Sequence, residues 1–424
     1  MKVVIIGGGF GGLRLAKKLS NKKGFDVTLI DRYNFHQFQP LFYQVATAGL
    51  DASNISFPLR KAFHKNNNIH FRMTEVKSID TSQNKVIADK DTFEYDVLVL
   101  ATGADTNFFG NAQLVENTCP MKSTVEALQI KYRLLKNIEN ALFSKDEKDL
   151  ESLMTVVVVG GGPTGVEMSG AIADMRRFVL PKDYPELDFS KMKIYLLEGS
   201  PRTLAAMTAK SSHDSLEYLK KLNVIVMTET VVKSYDGKTV TMQNGSTITS
   251  SLVVWAAGIK GNVPEGIDKN LIVKGNRIKV DRFNKVMGYE NVYAIGDVGY
   301  METEKYPHGH PQLAGVAIAQ GNVLGSNLLK TEKKTSSMKE FEYHDKGTMA
   351  TVGRNLAVVD IPKPKLHFKG FFAWTIWMGI HLFLLLGVKN RVAVFFNWIY
   401  NYITYDQNLR LIFRGFSRTE KPTE

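Results

Sequence analysis

Cysteine is almost absent from this sequence of 424 residues, in which Cys119 is the single example. One cysteine excludes a disulfide framework, and it excludes every redox centre that is built on a pair of cysteines. Because Cys119 stands next to Pro120, we interpret it as a packing residue. The sequence carries no motif that points to a bound metal ion, and we predict no metal site.

A membrane-spanning hydrophobic segment is also missing. The apolar stretch Phe371–Val388 is shorter than the ~20 residues that a transmembrane helix requires, and His381 would lie within it. The chain opens directly on the apolar run Lys2–Ile6, so we expect no signal or transit peptide. The sequence therefore predicts a globular protein without a spanning helix.

The net charge of +12 is concentrated toward the C terminus. From Ile361 to Glu424 there are nine Lys or Arg residues and three Asp or Glu residues, so about half of the excess lies there. A basic tail can bind nucleic acid, but no recognised nucleic-acid motif accompanies this one. We predict no nucleic-acid partner and favour an anionic membrane surface.

Glycine, in contrast, is concentrated in a motif near the start of the chain. The β-branched run Lys2–Ile6 predicts a buried strand, Gly7–Gly12 carries glycine at its first, third and sixth positions, and Leu13–Leu19 predicts a helix. These glycines permit a tight turn, a close approach of backbone to a pyrophosphate, and packing of helix on strand. Asp31 ends the next strand, Asp26–Ile30, where its carboxylate can accept hydrogen bonds from a ribose.

The same pattern recurs in the middle of the chain. Thr155–Val159 predicts a strand, Gly160–Gly165 repeats the glycine spacing, and a helix is predicted from Val166. Glu198 ends the second strand of this copy, Lys193–Leu197. The acid comes late because a loop inserted after the helix is predicted over residues 176–192. Both copies therefore predict a dinucleotide-binding site.

A shared pattern also follows both glycine motifs, so the chain contains an internal repeat. Each copy continues with hairpin strands and ends on an apolar strand that stops at small residues. The predicted hairpin strands are Ile69–Asp80, Lys85–Phe93, Val224–Val232 and Thr239–Met242, and the closing strands Tyr95–Leu100 and Leu252–Trp255 precede Ala101-Thr-Gly103 and Ala256-Ala-Gly258. The length accommodates two or three domains.

Beyond the repeat, the chain returns to the first domain. The strand Asn291–Ile295 is followed by Gly296-Asp297, and the acid there suits hydrogen bonding to the ribityl chain of a flavin. The predicted helix Leu313–Leu329 is rich in small residues, which admit a flat ligand or a neighbouring helix. A pair of strands is predicted over Glu342–Asp360.

The last part of the chain combines apolar, aromatic and basic residues. Val392–Tyr405 is rich in aromatic residues, and Trp374 and Trp377 precede it. Aromatic rings prefer the headgroup level of a membrane, and Lys and Arg attract anionic lipid. We therefore predict that residues 371–414 lie in a membrane interface, and a homodimer formed through the same C-terminal region is the alternative.

The chain resembles the type II NADH dehydrogenases, the non-proton-pumping NADH:quinone oxidoreductases, over nearly its whole length. The resemblance rests on the two glycine motifs, His36-Gln-Phe-Gln-Pro40, Gln44-Val-Ala-Thr47, Ala101-Thr-Gly103, Gly162-Pro-Thr-Gly-Val-Glu167, Gly296-Asp297, Gly353-Arg-Asn355, Asn390-Arg391 and Asn397-Trp398-Ile-Tyr-Asn-Tyr402. It implies an α/β fold with two Rossmann-like domains, the NAD domain inserted in the FAD domain, and a C-terminal helical membrane-associating segment. It also implies bound FAD, NADH as substrate, and a membrane quinone, menaquinone or ubiquinone, as acceptor.

The domain boundaries follow from the same comparison of motifs. We expect an FAD domain from residues 1–115 and 285–340, an NADH domain with its connecting helix over residues 116–284, and a C-terminal segment over residues 341–424. The protein is expected at the cytoplasmic face of the cell membrane as a peripheral, monotopic protein.

The resemblance and the motifs together nominate the site residues. For FAD they are Gly7, Gly9, Phe10, Gly11, Gly12, Asp31, Arg32, Gln44, Thr47, Val76, Ala101, Thr102, Gly103 and Asp297. For NADH they are Gly160, Gly162, Pro163, Thr164, Gly165, Glu198, Ala257 and Gly258.

Two residues are catalytic candidates. Glu167 begins the second nucleotide helix, and the resemblance implies that it positions nicotinamide and aids proton delivery; a helix-stabilising acid is the simpler interpretation. The family's two glutamines on the predicted helix Leu313–Leu329 correspond to Gly315 and Ala319 here, and Gln320 is displaced by one position. Because of this departure, a soluble diaphorase with another acceptor remains an alternative. A non-enzymatic flavin- and NADH-binding sensor that its tail recruits to membrane is a second alternative, which the glycine motifs and Glu167 also fit.

Overall fold

The computed structural model describes residues 1–333 and 337–413 of a mixed α/β protein. Contacts divide the chain into two compact units. Unit 1 comprises Met1–Gln37, Ser56–Asn107 and Gly258–Asp345, and unit 2 comprises Phe38–Ile55, Phe108–Ala257 and Lys346–Glu424.

The core of unit 1 is a five-stranded parallel sheet. Its strands, in spatial order, are Val292–Ala294, Val97–Leu100, Lys2–Ile6, Asp26–Asp31 and Ile69–Met73. The central strands are β-branched and apolar because both faces of a parallel sheet are covered. The remaining strands are Phe35–Gln37, Ser56–Pro58, Val76–Asp80, Lys85–Ala88, Thr92–Glu94, Ala104–Thr106, Ile259–Gly261, Ile272–Val273, Arg277–Lys279 and Gly299–Tyr300.

Helices Phe10–Leu19 and Ala314–Glu332 of unit 1 pack closely against each other, and Leu59–Phe63 is a third, short helix. The contact depends on glycine: a Cβ at Gly321 would lie 2.6 Å from the carbonyl oxygen of Gly11, and one at Gly325 would lie 2.6 Å from Cγ of Lys18. Helix packing therefore explains these two of the small residues noted in the sequence.

Unit 2 repeats the sheet. Its five parallel strands, in spatial order, are Cys119–Pro120, Leu252–Trp255, Thr155–Val159, Lys193–Leu197 and Ile225–Met227. An antiparallel sheet of Val232–Tyr235, Thr239–Met242 and Thr247–Thr249 accompanies it. The helices are Phe42–Ala46, Ala112–Asn117, Thr124–Ala141, Glu147–Leu153, Pro163–Asp174, Leu180–Asp183 and Ala209–Lys221, with a π-helical turn at Met175–Val179.

Unit 2 also contains the C-terminal sheet and the two C-terminal helices. The C-terminal sheet consists of Thr348–Gly353, Leu356–Ile361 and Leu366–Lys369, and the C-terminal helices are Gly370–Leu384 and Val388–Thr404. None of the helices in the described part of the chain is both long and apolar enough to cross a membrane. Arg414, the last residue of the predicted membrane segment, lies outside the described residues.

Several predicted elements are wrong in detail. The predicted loop over residues 176–192 is helical as far as Asp183, because the π-helical turn continues the nucleotide helix. Ile69–Asp80 and Val224–Val232 are not single hairpin strands: in each case the first part joins the parallel sheet and the second joins an antiparallel sheet. The expected strand pair Glu342–Asp360 is the three-stranded C-terminal sheet, which begins later, at Thr348.

Candidate active site

The two glycine motifs adopt the same conformation. Gly7 and Gly160 each have φ +109°, in the left-handed region that favours glycine. A Cβ at Gly7 would lie 2.2 Å from the carbonyl oxygen of Ala101, and one at Gly160 would lie 2.6 Å from that of Ala256. Each motif therefore turns directly against the backbone at the end of its own closing strand.

The other motif glycines have contrasting surroundings. A Cβ at Gly12 or Gly165 would lie 1.9 Å from the carbonyl oxygen of Gly7 or Gly160, so these two positions serve packing. A Cβ at Gly9 or Gly162 would meet no atom within 4 Å. Open space at the second glycine, beside the start of a helix, is where the pyrophosphate of a dinucleotide approaches. Both motifs therefore fit a dinucleotide.

The acid after each second strand holds its own glycine motif. Asp31 accepts hydrogen bonds from the N–H groups of Gly8 and Tyr33 at 2.6 and 2.7 Å. Glu198 accepts from the N–H of Gly161, and from that of Ser200 at 2.6 Å. Both carboxyl groups are half-buried, and burial raises the pKa of Asp31. Carboxylate oxygens have further lone pairs, so both acids can still accept from a ribose.

Most of the remaining FAD candidates lie in unit 1, as follows. A Cβ at Gly103 would meet no atom within 4 Å, the Thr102 hydroxyl donates to the carbonyl of Asn262 at 2.5 Å, and Asp297 is half-buried. Arg32 is exposed and lies over the Tyr33 ring, whereas Val76 packs against the unit 1 core. Phe10 and Gly11 begin the first nucleotide helix. Their roles in binding remain predictions.

The NADH candidates gather around the second glycine motif. Pro163 and Thr164 are exposed at the first turn of the helix Pro163–Asp174, and Ala257 follows the closing strand of unit 2. Gly258 begins the third segment of unit 1. These assignments are also still predictions.

His36, from the motif His36-Gln-Phe-Gln-Pro40, also lies in this region, and its contacts with the first glycine motif were not predicted. Its ring is buried, lies 5.0 Å from that of Phe10, and its Nδ1 lies 3.0 Å from the Gly8 carbonyl oxygen. Burial lowers the pKa of His36 to about 4, so the ring is neutral and Nδ1 carries the proton that it donates. The antiparallel pairing of Phe35–Gln37 with Ser56–Pro58 fixes the strand that carries His36.

Glu167 is buried in unit 2 and protonated at neutral pH. Burial raises its pKa to about 8. The N–H of Thr351 donates to its Oε1 atom at 3.3 Å, and the indole of Trp377 faces it without a hydrogen bond of normal geometry. A helix-stabilising acid would be charged and exposed, whereas Glu167 is buried and its pKa is raised. Its catalytic role remains a prediction.

A cavity of ≈ 150 Å³ in unit 2, here called the aromatic cavity, shares two of these neighbours, Thr351 and Trp377. Its aromatic lining is Tyr43, Phe178, Trp374, Trp377, Trp398, Tyr402 and Tyr405. Gln44 and Thr47, predicted for FAD, also line it. The amide of Gln44 accepts from the indole N–H of Trp398 at 2.7 Å and donates to the Tyr43 hydroxyl at 2.9 Å.

Charged groups also line the aromatic cavity, and their place in a site was not predicted. Asp174 is buried and accepts from the N–H of Arg354 at 2.8 Å, and burial raises its pKa to about 6. The Arg354 guanidinium stacks on the rings of Tyr402 and Tyr405, at 4.1 and 3.6 Å from their centroids. Asp174 follows Glu167 by seven residues on one helix, a spacing that indicates a shared face.

Gln320 belongs to unit 1. Its side chain is 1% exposed, and its Oε1 atom accepts the N–H of Gly296 at 2.7 Å. Gly315 and Ala319, on the same helix, carry no hydrogen-bonding side chain. A catalytic role for Gln320 stays a prediction.

Two glycine motifs of one geometry, each with its acid, define an oxidoreductase that binds two dinucleotides. Residues 1–321 match the pyridine nucleotide-disulphide oxidoreductase family, and residues 345–404 match the NDH2 C-terminal domain. The chain belongs to the type II NADH:quinone oxidoreductases within that class.

The similarity to known type II NADH:quinone oxidoreductases extends over nearly the whole chain. It is 34% identical to a type II NADH:quinone oxidoreductase of Mycobacterium tuberculosis, covering 95% of this chain and 88% of the relative. It is 27% identical to the type II NADH:quinone oxidoreductase of Haemophilus influenzae, covering 89% and 92%. The solved structure of NDH2 from Plasmodium falciparum in complex with NADH has a TM-score of 0.87 at 22% identity and covers 97% of this chain and 99% of that one. This last likeness shows the fold.

Proposed function

We propose that the protein oxidises NADH through bound FAD and passes the electrons to a membrane quinone without pumping protons. The observation that carries this function is the duplicated glycine motif, since Gly9 and Gly162 each leave open space for a pyrophosphate. The motif of unit 1 is assigned to FAD and that of unit 2 to NADH. The family membership supports the same reaction.

The chain's own residues bind and orient the two dinucleotides. Asp31 and Glu198 each present carboxylate oxygens at the end of a strand, where they receive the adenosine ribose. The negative charge of Glu198 repels a 2′-phosphate and so favours NADH over NADPH. When bound, FAD supplies an acceptor for hydride and a donor of two electrons, which are chemistries that protein side chains lack.

The proton balance assigns a task to Glu167. A hydride carries two electrons and one proton, whereas reduction of a quinone to a quinol consumes two electrons and two protons. One proton must therefore come from another source. Glu167 holds a proton at neutral pH in a dry environment, and its contact residues Thr351 and Trp377 line the aromatic cavity. It is therefore suited to deliver that proton.

The aromatic cavity is proposed as the binding site of the quinone ring. A cavity of this size holds one six-membered ring, and its walls are aromatic. The Gln44 amide, oriented by Trp398 and Tyr43, offers a hydrogen bond to a quinone oxygen. Binding at this site places the ring beside the groups that surround Glu167.

The C-terminal helices are proposed to hold the protein on the cytoplasmic face of the cell membrane. They expose large apolar side chains, and Lys389 and Arg391 add positive charge. Quinone dissolved in lipid would then reach the protein at the surface that carries these helices. The alternative proposal is that the same exposed surface joins two copies of the chain in a homodimer.

Anaerobic rapid mixing tests the proposed function. The purified protein is expected to show flavin absorbance. This absorbance should bleach at least as fast as the enzyme turns over when NADH is added, and it should recover when a short-chain quinone follows. Bleaching that the quinone does not reverse would support a diaphorase with another acceptor. A colourless protein that takes up no flavin would overturn the proposal.

A further inference from the structure

Two glutamine side chains hold the Gly296–Asp297 turn of unit 1 from different directions. The Oε1 atom of Gln320 accepts a hydrogen bond from the N–H of Gly296 at 2.7 Å. The Nε2 atom of Gln312 donates to the carbonyl oxygen of Asp297 at 3.0 Å. One glutamine therefore pairs with a backbone donor and the other with the backbone acceptor of the next residue.

This turn needs such support because of its conformation. Gly296 has φ +74°, in the left-handed region. A Cβ there would lie 3.2 Å from the Cβ of Ala317, so the turn sits directly on the helix Ala314–Glu332. Unrestrained glycine adopts more conformations than other residues, so the two side-chain hydrogen bonds stabilise one conformation of the turn.

The same helix connects the turn to the first glycine motif. A Cβ at Gly321, the residue after Gln320, would lie 2.6 Å from the carbonyl oxygen of Gly11. Gln320 therefore connects the turn that carries Asp297 to the helix Ala314–Glu332. That helix packs in turn against the helix that begins the first dinucleotide site. Neither glutamine needs to touch the flavin to affect how Asp297 meets it.

We propose that Gln312 and Gln320 are positioning residues, which together fix the Gly296–Asp297 turn so that Asp297 can bind the flavin cofactor. The inference rests on the proposed function, since it requires FAD in unit 1. It gives Gln320 a role through the turn, rather than through contact with quinone.

Four single variants test the inference in the holoenzyme. Gln320→Met and Gln312→Met keep side-chain volume but lose the hydrogen bond to the turn, and Gln312→Lys keeps a donor. Asn327→Leu is the matched control, because Asn327 is a buried amide of the same helix that pairs with the backbone of Lys339 and does not contact the turn. Release of FAD on dilution is followed by flavin fluorescence, and thermal unfolding is measured alongside.

The two Met variants are expected to weaken FAD binding by roughly threefold to tenfold, the worth of one hydrogen bond. The double variant Gln312→Met with Gln320→Met is expected to lose less FAD affinity than the product of the two single fold-changes, because both hydrogen bonds act on one turn. Gln312→Lys should retain most of the affinity. Asn327→Leu should lower the melting temperature and leave FAD affinity unchanged.

Two results would overturn the inference. One is a lower melting temperature in the Met variants with unchanged FAD affinity, which would make the glutamines purely structural. The other is an equal loss of FAD in the Asn327→Leu control. In both cases the wild-type protein still binds FAD and is reduced by NADH, so failure here is distinct from a wild-type protein without flavin, which would overturn the proposed function itself.

Discussion

At the scale of single residues, the protonated state of Glu167 has a consequence for stability. Its carboxyl group has an ordinary pKa of 4.5 when unfolded and about 8 when folded. Between these values the folded state binds a proton that the unfolded state has released, so rising pH favours unfolding. The contribution of this group to stability is complete below pH 4.5 and is lost as the pH rises through 8.

Glu167→Gln should therefore flatten the pH dependence of stability. The amide cannot ionise, so the melting temperature of the variant is expected to fall less than that of wild type between pH 5 and pH 9. Its quinone reductase activity is expected to fall at least about 100-fold, the usual contribution of a proton donor. Scanning fluorimetry over a pH series and steady-state kinetics measure the two effects.

Glu304→Gln is the control for this prediction, because Glu304 is an exposed residue of unit 1. A parallel pH response in wild type and Glu167→Gln would contradict the assignment.

The proposed contact between Glu198 and the adenosine ribose predicts that Glu198 decides the preference for NADH over NADPH. We expect Glu198→Gln to lower kcat/KM for NADH about tenfold, which corresponds to the ~1.5 kcal/mol of a hydrogen bond to a charged group. The ratio of NADH to NADPH activity should fall further, because the charge that repels a 2′-phosphate is gone. Steady-state rates with NADH and with NADPH measure this ratio.

Arg202 provides the comparison for that experiment. It lies four residues after Glu198, but its guanidinium donates to the carbonyl of Ala205 at 3.0 Å. Arg202→Gln is therefore expected to leave the nucleotide ratio unchanged. A collapse of NADPH activity in this variant alone would show that Arg202, and not Glu198, decides the preference.

At the scale of elements, the contact between the helices Phe10–Leu19 and Ala314–Glu332 has no room for a side chain at Gly321. Gly321→Ala would place a Cβ 2.6 Å from the backbone oxygen of Gly11, which cannot move without shifting the first glycine motif. We expect a loss of about 1–3 kcal/mol in unfolding free energy and weaker retention of FAD. Thermal unfolding and flavin content after gel filtration test both effects.

Gly379→Ala is the matched control for the helix-packing prediction. Gly379 also lies inside a helix, but no atom would come within 4 Å of its Cβ. Alanine stabilises a helix interior relative to glycine by up to about 1 kcal/mol, so this variant should be neutral or more stable. Equal destabilisation of both variants would mean that the close contact with Gly11 is not the cause.

The elements also show which features local sequence can predict. The two glycine motifs were predictable because strand, turn, helix and acid follow one another within one stretch of chain. The break of the predicted strand Ile69–Asp80 was not, because its first part pairs with the distant strand Asp26–Asp31. The aromatic cavity was not predictable either, since Tyr43, Asp174 and Trp398 come from distant parts of the chain. Long-range pairing decides both features.

At the scale of the whole molecule, the C-terminal helices expose many large apolar side chains. The most exposed of its large side chains are Phe372, Phe383, Val388, Phe396 and Ile403, each at least 63% exposed. Leaving so much apolar area in water is costly at ~25 cal/mol per Å². Large exposed apolar side chains on two helices that contact each other indicate an interaction site.

Phe383→Glu with Phe396→Glu should therefore detach the protein from lipid. The double variant is expected to lose co-sedimentation with anionic vesicles and to lose reduction of lipid-dissolved quinone, while reduction of a soluble dye by NADH persists. Buried carboxylates at the headgroup level would cost more than the apolar contacts return. Phe143→Glu is the control, because Phe143 is 82% exposed but lies outside the C-terminal helices.

The lipid composition separates the two uses of this surface. If it binds membrane, raising the share of anionic lipid should strengthen binding by about 1 kcal/mol for each Lys or Arg that reaches the surface, and added salt should reverse the gain. Wild type and the double variant should then have the same mass in detergent-free solution. If the surface instead joins two copies of the chain, the double variant would halve the measured mass and vesicle binding would survive, because the apolar side chains would never have faced the lipid.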